Sequence, residues 1–257
     1  MSRISSLFAA KPSGILSVYF CAGDPTPASV RPTLRALQDG GVDMVEIGIP
    51  FSDPIADGPV IQNAATRALQ GGMTLRRLFV ELEGVRTEIH VPLLLMGYYN
   101  VVLAYGPERF IADCARLGID GCIIPDLPFE EYDTLYRAEA EAAGVDFVFL
   151  VTPETSEARI RQIDAGTSGF VYAVSSASVT GAQRSFGDAK QAYFARLKAM
   201  ELRNPWLIGF GISNRATREA ADRYARGVIV GSKFVTLLHT LGDPAAATAA
   251  LIKALDE

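Results

Sequence analysis

Three carboxylates, Glu46, Asp53 and Asp57, stand close together in the segment from Val45 to Ala64. Glu46 interrupts an apolar run of strand length. Because strand side chains alternate, Met44, Glu46 and Gly48 face one way while Val45, Ile47 and Ile49 face the other. The acid therefore points into whatever the strand encloses. Pro50, Pro54 and Pro59 break the chain before Ile61 to Leu69, whose apolar positions have helical spacing. Asp53 and Asp57 thus fall on a proline-stiffened loop at the C-terminal end of the strand. An inward glutamate in an apolar strand has its pKa raised by desolvation, which suits a group that must both give and take a proton. Asp57, on a more solvated loop, is expected to stay ionised. Taken alone, a satisfied core glutamate and an ordinary Asp-Gly-Pro turn are equally good readings of the same residues.

A second constellation is spread over three later loops: Thr180-Gly181, then Gly209-Phe210-Gly211-Ile212-Ser213, then Gly231-Ser232. Each follows a run of strand character. Glycines let a backbone approach an anion, and a helix beginning at Ser232 would aim its N–H groups and its dipole at one. A single Gly-x-Gly is weak, since glycines at strand ends are usually turns; their recurrence in consecutive loops points to phosphate. The two histidines offer no alternative chemistry. His90 precedes a strand, and His239 lies late in a helix that Gly242 ends, where positive charge is structurally welcome. Histidine triads and histidine-based metal sites are not expected.

The elements that must position these residues alternate between strand-length apolar runs and helical segments. The expected strands are Gly14 to Cys21, Asp43 to Ile49, Val91 to Met96, Gly121 to Ile124, Val145 to Val151, Gly169 to Val174, Trp206 to Phe210 and Gly227 to Val230. Expected helices include Thr74 to Glu88, Pro107 to Leu117, Glu130 to Ala143 and Ala189 to Glu201. Gly41-Val42-Asp43, Gly118-Ile119-Asp120 and Gly144-Val145-Asp146 repeat one signal, a glycine cap where a helix stops and a strand begins. Eight strand-helix units without a composition break predict a parallel (β/α)8 barrel over residues 1–257, with an extra N-terminal helix and additional helices after strands two and eight. Barrels of this kind bind phosphate in the last loops. The formal charge of −5 argues against nucleic-acid or anionic-membrane partners, and leaves a phosphate to be held mainly by backbone N–H groups. Cys21, Cys114 and Cys122 form no complete disulfide framework and read as core residues of a cytoplasmic protein. Met1 to Ala10 has too short an apolar run for a signal peptide, and the longest apolar stretch, Val91 to Tyr105, is broken by Pro92, Gly97 and Asn100, so no membrane span is expected.

The run Phe51-Ser-Asp-Pro-Ile-Ala-Asp-Gly-Pro-Val-Ile-Gln62 behind Glu46 resembles, nearly residue for residue, the signature of the tryptophan synthase alpha subunit family. The resemblance extends over nearly the whole chain. It implies a TIM-barrel lyase that cleaves indole-3-glycerol phosphate to indole and glyceraldehyde 3-phosphate, with Glu46 and Asp57 as the catalytic acids. It places Tyr19, Ile61, Leu95, Tyr98, Ile123, Tyr172 and Phe210 about the indole, and Thr180, Gly181, Gly211, Ile212, Gly231 and Ser232 about the phosphate. No cofactor is implied for this chain. Pyridoxal phosphate is implied in a beta-subunit partner, forming an alpha2beta2 heterotetramer and meeting Ser52, Asp53, Pro54 and Asp126. One departure is Ser178, where many relatives have glycine; serine restricts the backbone more, which makes closure of that loop less transferable. A stand-alone indole producer, a related phosphate-binding isomerase and a catalytically silent regulatory barrel are the competing readings.

Overall fold

The computed structural model describes residues 2–175 and 187–257, and the expected loop residues Ser178, Thr180 and Gly181 lie outside them. The strands are β1 (Ile15–Cys21), β2 (Met44–Gly48), β3 (Leu93–Met96), β4 (Gly121–Ile123), β5 (Asp146–Val148), β6 (Leu150–Val151), β7 (Val171–Val174), β8 (Trp206–Gly209) and β9 (Gly227–Val230). All neighbouring pairs are parallel, in the order β5-β4-β3-β2-β1-β9-β8-β7-β6. The two ends of that order, β5 and β6, are separated in sequence by Phe149 alone, so together they form the single strand expected from Val145 to Val151, and the sheet of eight expected strands closes on itself. At this seam the Thr167 hydroxyl donates to the Phe147 carbonyl at 2.9 Å and accepts from the Phe149 N–H at 3.2 Å. The Phe149 carbonyl in turn accepts from the N–H of Tyr172 at 3.0 Å.

Alternation along the strands sorts the apolar residues into two cores. Ile15, Met44, Leu94, Ile123, Val148, Tyr172, Leu207 and Ile229 fill the barrel interior. Leu16, Val18, Val45, Ile47, Leu93, Leu95, Cys122, Ile208 and Val228 face the surrounding helices. Both sets are buried because the helices cover the outer face completely, which is why these strands read as near-continuous apolar runs.

The N-terminal helix Arg3–Ala10 plugs the bottom of the barrel, with Ile4 fully buried in the interior core. Its start is fixed by Ser2, whose hydroxyl donates to Asp146 at 2.8 Å, and by Arg3, which donates to Asp120 at 2.9 Å. Here the Gly-x-Asp repeats acquire a structural meaning. Asp43 accepts from the Leu16 N–H at 2.8 Å, and Asp120 accepts from the Leu93 N–H at 2.8 Å. Each aspartate before a strand thus satisfies a backbone donor at the start of the preceding strand. Asp120, almost wholly buried, also binds Arg86.

Helices follow the barrel order with three departures from expectation. The segment expected as one helix from Thr74 to Glu88 stops at Glu81, because Gly84 takes a left-handed conformation (φ 68°) before a short turn at Val85–Thr87. A helix at Tyr99–Tyr105 occupies what reads as a loop, and Asp126 accepts from its Tyr99 N–H at 2.8 Å. The helix after β4 is widened into a π-helical turn at Tyr132–Tyr136 before it resumes at Arg137–Ala143. After β2 come Pro59–Gln70 and Leu75–Glu81, and after β9 come Ser232–Leu241 and Pro244–Asp256, the additional helices expected there.

Asp120→Ala would orphan the Leu93 N–H and strip the buried side of Arg86 of its counter-charge. The expected loss is about 3 kcal/mol of folding stability, read as a lower urea midpoint, with the opposite end of the barrel keeping its geometry.

Candidate active site

The carboxyl end of the barrel holds a cavity lined by Tyr19, Glu46, Asp57, Ile61, Met96, Tyr172, Phe210, Gly211, Ile212, Ile229, Gly231, Ser232 and Lys233. It continues past Tyr19, Asp57 and Phe210 into an arm that Phe51, Pro54, Tyr98 and Thr152 help to line. Catalytic sites of parallel barrels form at this end because the strand-to-helix loops converge there.

Glu46 is fully buried at the centre of β2, with Tyr19 opposite on β1 and Leu94 opposite on β3. One carboxyl oxygen, Oε1, accepts from the Ser17 hydroxyl at 2.9 Å; the other, Oε2, has no partner among the described residues. Burial pushes the pKa up to about 8, and the Ser17 bond opposes this only in part. The acid is therefore mostly protonated at neutral pH, and it lines the cavity.

Asp57 is reached from the loop that Pro54 and Pro59 stiffen, where its N–H donates to the Pro54 carbonyl at 3.0 Å. Its Oδ2 accepts from the Tyr98 hydroxyl at 2.9 Å, and that hydroxyl accepts from the Ala56 N–H at 3.1 Å. Phe51 stacks on the Tyr98 ring with centroids 5.1 Å apart, which fixes the ring against the loop. The expectation of a well-solvated Asp57 is corrected here: the side chain is only partly exposed, and burial raises its pKa from the ordinary carboxylate value while the Tyr98 bond lowers it. The loop folds back over the cavity instead of standing out from it.

Two inward positions carry glycine for a steric reason. A Cβ at Gly48 would lie 2.1 Å from the Tyr19 hydroxyl, and one at Gly209 would lie 2.3 Å from the Tyr172 hydroxyl. Each tyrosine therefore lies flat across the end of a neighbouring strand and walls the cavity beside Glu46. Beyond β8, Phe210 adopts φ 65° and Gly211 φ 83°, a conformation that a phenylalanine does not choose freely. Ser175 restrains it: its hydroxyl donates to the Phe210 carbonyl at 2.7 Å. The kink turns Gly211 and Ile212 into the cavity, beside the start of the helix Ser232–Leu241.

Most of the residues expected from sequence meet in this one space. Leu95 does not: it belongs to the outer core, and its neighbour Met96 takes the wall position, because β3 is registered with Leu94 beside Glu46. Ile123 faces inward but lies in the interior core, paired with Met96, and not on the cavity wall. Ser52 and Asp53 are exposed and bonded to one another on the loop, with Pro54 at the cavity arm and Asp126 at the start of the helix Tyr99–Tyr105. Sequence reasoning missed Met96, Ile229 and Lys233. Strand parity, carried from Glu46 through its register partner, identifies Met96; no spacing signal marks Lys233.

Comparisons with known proteins converge on one family. The family model described as tryptophan synthase alpha chain matches residues 7–256. The chain is 56% identical over 256 residues to the tryptophan synthase alpha chain of Phocaeicola vulgatus, covering 99% of each. It is 54% identical over 257 residues to that of Parabacteroides distasonis, covering 100% of each. Among solved structures, tryptophan synthase subunit alpha from Legionella pneumophila superposes with a TM-score of 0.88 at 32% identity, over 99% of this chain and 97% of that one. With a paired-acid cavity at the carboxyl end of an eight-stranded parallel barrel and matches that run nearly end to end, this chain belongs to the tryptophan synthase alpha chain family.

Proposed function

We propose that Glu46 and Asp57 divide the proton and charge work of the family's alpha reaction. That reaction, in tryptophan biosynthesis, is the lyase cleavage of indole-3-glycerol phosphate to indole and glyceraldehyde 3-phosphate. One observation carries the assignment: a fully buried carboxyl with an unpartnered oxygen lines the same cavity as a second carboxyl.

Indole is a poor leaving carbanion until its C3 is protonated. Neutral Glu46 gives its proton to C3, and the ring becomes a cationic indolenine. Its N–H donates to the carboxylate of Asp57, which Tyr98 holds in place, and the positive charge is stabilised in a water-poor space. Glu46, now anionic, takes the proton of the glycerol hydroxyl beside the ring. The carbon–carbon bond breaks, its electron pair returns to the ring, and indole and the aldehyde leave with Glu46 neutral again. A group that gives and then takes a proton works best with a pKa near the working pH, which the burial of Glu46 supplies. The tyrosine walls and Ile61 enclose the flat ring, while the loops at Gly211 and Gly231-Ser232 receive the phosphate. No cofactor enters this sequence; pyridoxal phosphate belongs to the beta-subunit partner.

The partner reading rests on the loop after β2. Ser52, Asp53 and Ile55 are exposed there, Ile55 to 84%, on the loop that carries Asp57. An uncovered isoleucine on an acidic loop over an active site suits a protein contact that transmits to Asp57. We place the beta subunit on this face of an alpha2beta2 assembly, working in the cytoplasm. Among the described residues no helix is long and apolar enough to cross a membrane.

Glu46→Gln is expected to lower indole release at least about a thousandfold, and Asp57→Asn about a hundredfold or more. In the parent, kcat/KM falls as pH rises through about 8, where Glu46 loses its proton. The folded pKa of Glu46 lies above its ordinary value of 4.5, so its contribution to stability is fully present below that value and is lost as pH rises through about 8. Glu46→Gln does not titrate and should therefore resist urea better than the parent above pH 8, which separates lost chemistry from lost fold. Tyr98→Phe removes the hydroxyl between Asp57 and the Ala56 N–H; steady-state kinetics should show kcat reduced about tenfold. Ile55→Glu should weaken association with a beta subunit at least about tenfold in sedimentation analysis.

A further inference from the structure

We infer that Lys233 is the charged anchor of the substrate's phosphate, an assignment that rests on the reading above and alters how the anion is held. Among the described residues that line the cavity and its arm, Lys233 is the only cation, set against Glu46 and Asp57. It stands in the first turn of the helix Ser232–Leu241, next to Gly231 and Ser232 on the same wall.

That position is electrostatically unfavourable in the free chain. A cation at a helix N-terminus opposes the dipole, and this first turn carries no acidic side chain to offset it. The chain's other lysines are engaged: Lys11 with Asp43, Lys253 with Glu257, Lys198 with the Arg223 carbonyl, and Lys190 in contacts of its own. Lys233 has no such partner among the described residues. A phosphate held at the glycine loops removes the conflict, because it is attracted at once by the helix start and by the ammonium.

The second pointer to a ligand is on the same wall: Glu46, fully buried and lining this cavity, has an Oε2 with no partner among the described residues. A dianion entering a cavity with two carboxyl groups needs more opposing charge than N–H dipoles supply. Lys233 provides it at the end remote from the reacting ring, so its effect falls on capture of the phosphorylated substrate and not on the proton transfers. Backbone groups set where the phosphate sits, and Lys233 sets how tightly a charged ligand is preferred over an uncharged one.

Calorimetric titration with sn-glycerol 3-phosphate and, separately, with indole tests this on the parent, K233M and K233R. The inference expects K233M to bind the phosphate ester at least about tenfold more weakly, with K233R recovering most of the loss and indole binding alike in all three. In turnover, KM for indole-3-glycerol phosphate should rise by a similar factor with little change in kcat. If the parent binds sn-glycerol 3-phosphate and K233M binds it equally well, Lys233 is not the anchor. A loss of indole binding in K233M as large as its loss of the ester would also overturn the inference, since the effect would then be one of shape. A parent that neither binds the ester nor releases indole would instead sink the proposed function itself.

Discussion

The active end of this barrel depends on the burial of one carboxyl group. Glu46 is placed where water cannot reach it, with a single serine bond to one oxygen and, among the described residues, none to the other. Left charged, such a group would be costly to bury, so the fold keeps it protonated. Every neighbouring choice maintains that condition. Tyr19 and Tyr172 lie across glycines to wall it in, the apolar residues of the barrel interior seal it from below, and the proline-stiffened loop with Tyr98 closes over the second acid. Removal of any wall would hydrate Glu46, return its pKa towards the ordinary value, and leave it a carboxylate with no proton to give.

The two ends of the barrel solve opposite problems. At the bottom, Asp43, Asp120 and Asp146 are carboxylates that accept from backbone N–H groups, arginines, a lysine and a serine. Each of these carboxylates has at least one donor, and the helix Arg3–Ala10 covers them. At the top, an oxygen is left unsatisfied, a phenylalanine is held at positive φ, and a lysine opposes a helix dipole. At this end the strained backbone and the unmet oxygen stand where a substrate can relieve them, although Glu201 at φ 48° and Asp222 Oδ1, unpaired among the described residues, lie away from the cavity.

Much of this was legible in the sequence because it follows from alternation and local turn chemistry. The inward direction of Glu46 comes from strand parity, and the loop after β2 announces itself by its prolines. The glycine-aspartate repeats mark the strand starts, although only the structure shows that Asp43 and Asp120 bind the preceding strand while Asp146 meets Ser2. What was not legible depends on register between strands. Whether Leu95 or Met96 reaches the cavity turns on which residue of β3 lies beside Glu46, and nothing within β3 says so. The helix Tyr99–Tyr105 was hidden for a similar reason: its first N–H is capped by Asp126, a residue from a different loop. Lys233 carries no pattern of its own; its meaning arises from the cavity wall it shares with Glu46. The loop holding Ser178, Thr180 and Gly181 lies outside the described residues.

The seam at Phe149 sets this ring apart from one closed by backbone pairing alone. There the Thr167 hydroxyl stands in for a strand neighbour, bridging the carbonyl of Phe147 and the N–H of Phe149. Elsewhere around the sheet the ladder is made of groups every residue possesses, so many sequences could draw the same circle. At this one point the circle is written in a side chain. Genetic drift can therefore pass freely through most of the strand residues that keep their apolar character, but at residue 167 it meets a hydroxyl of set reach, whose loss would leave the Phe149 N–H without its partner at the one residue where the ladder is interrupted.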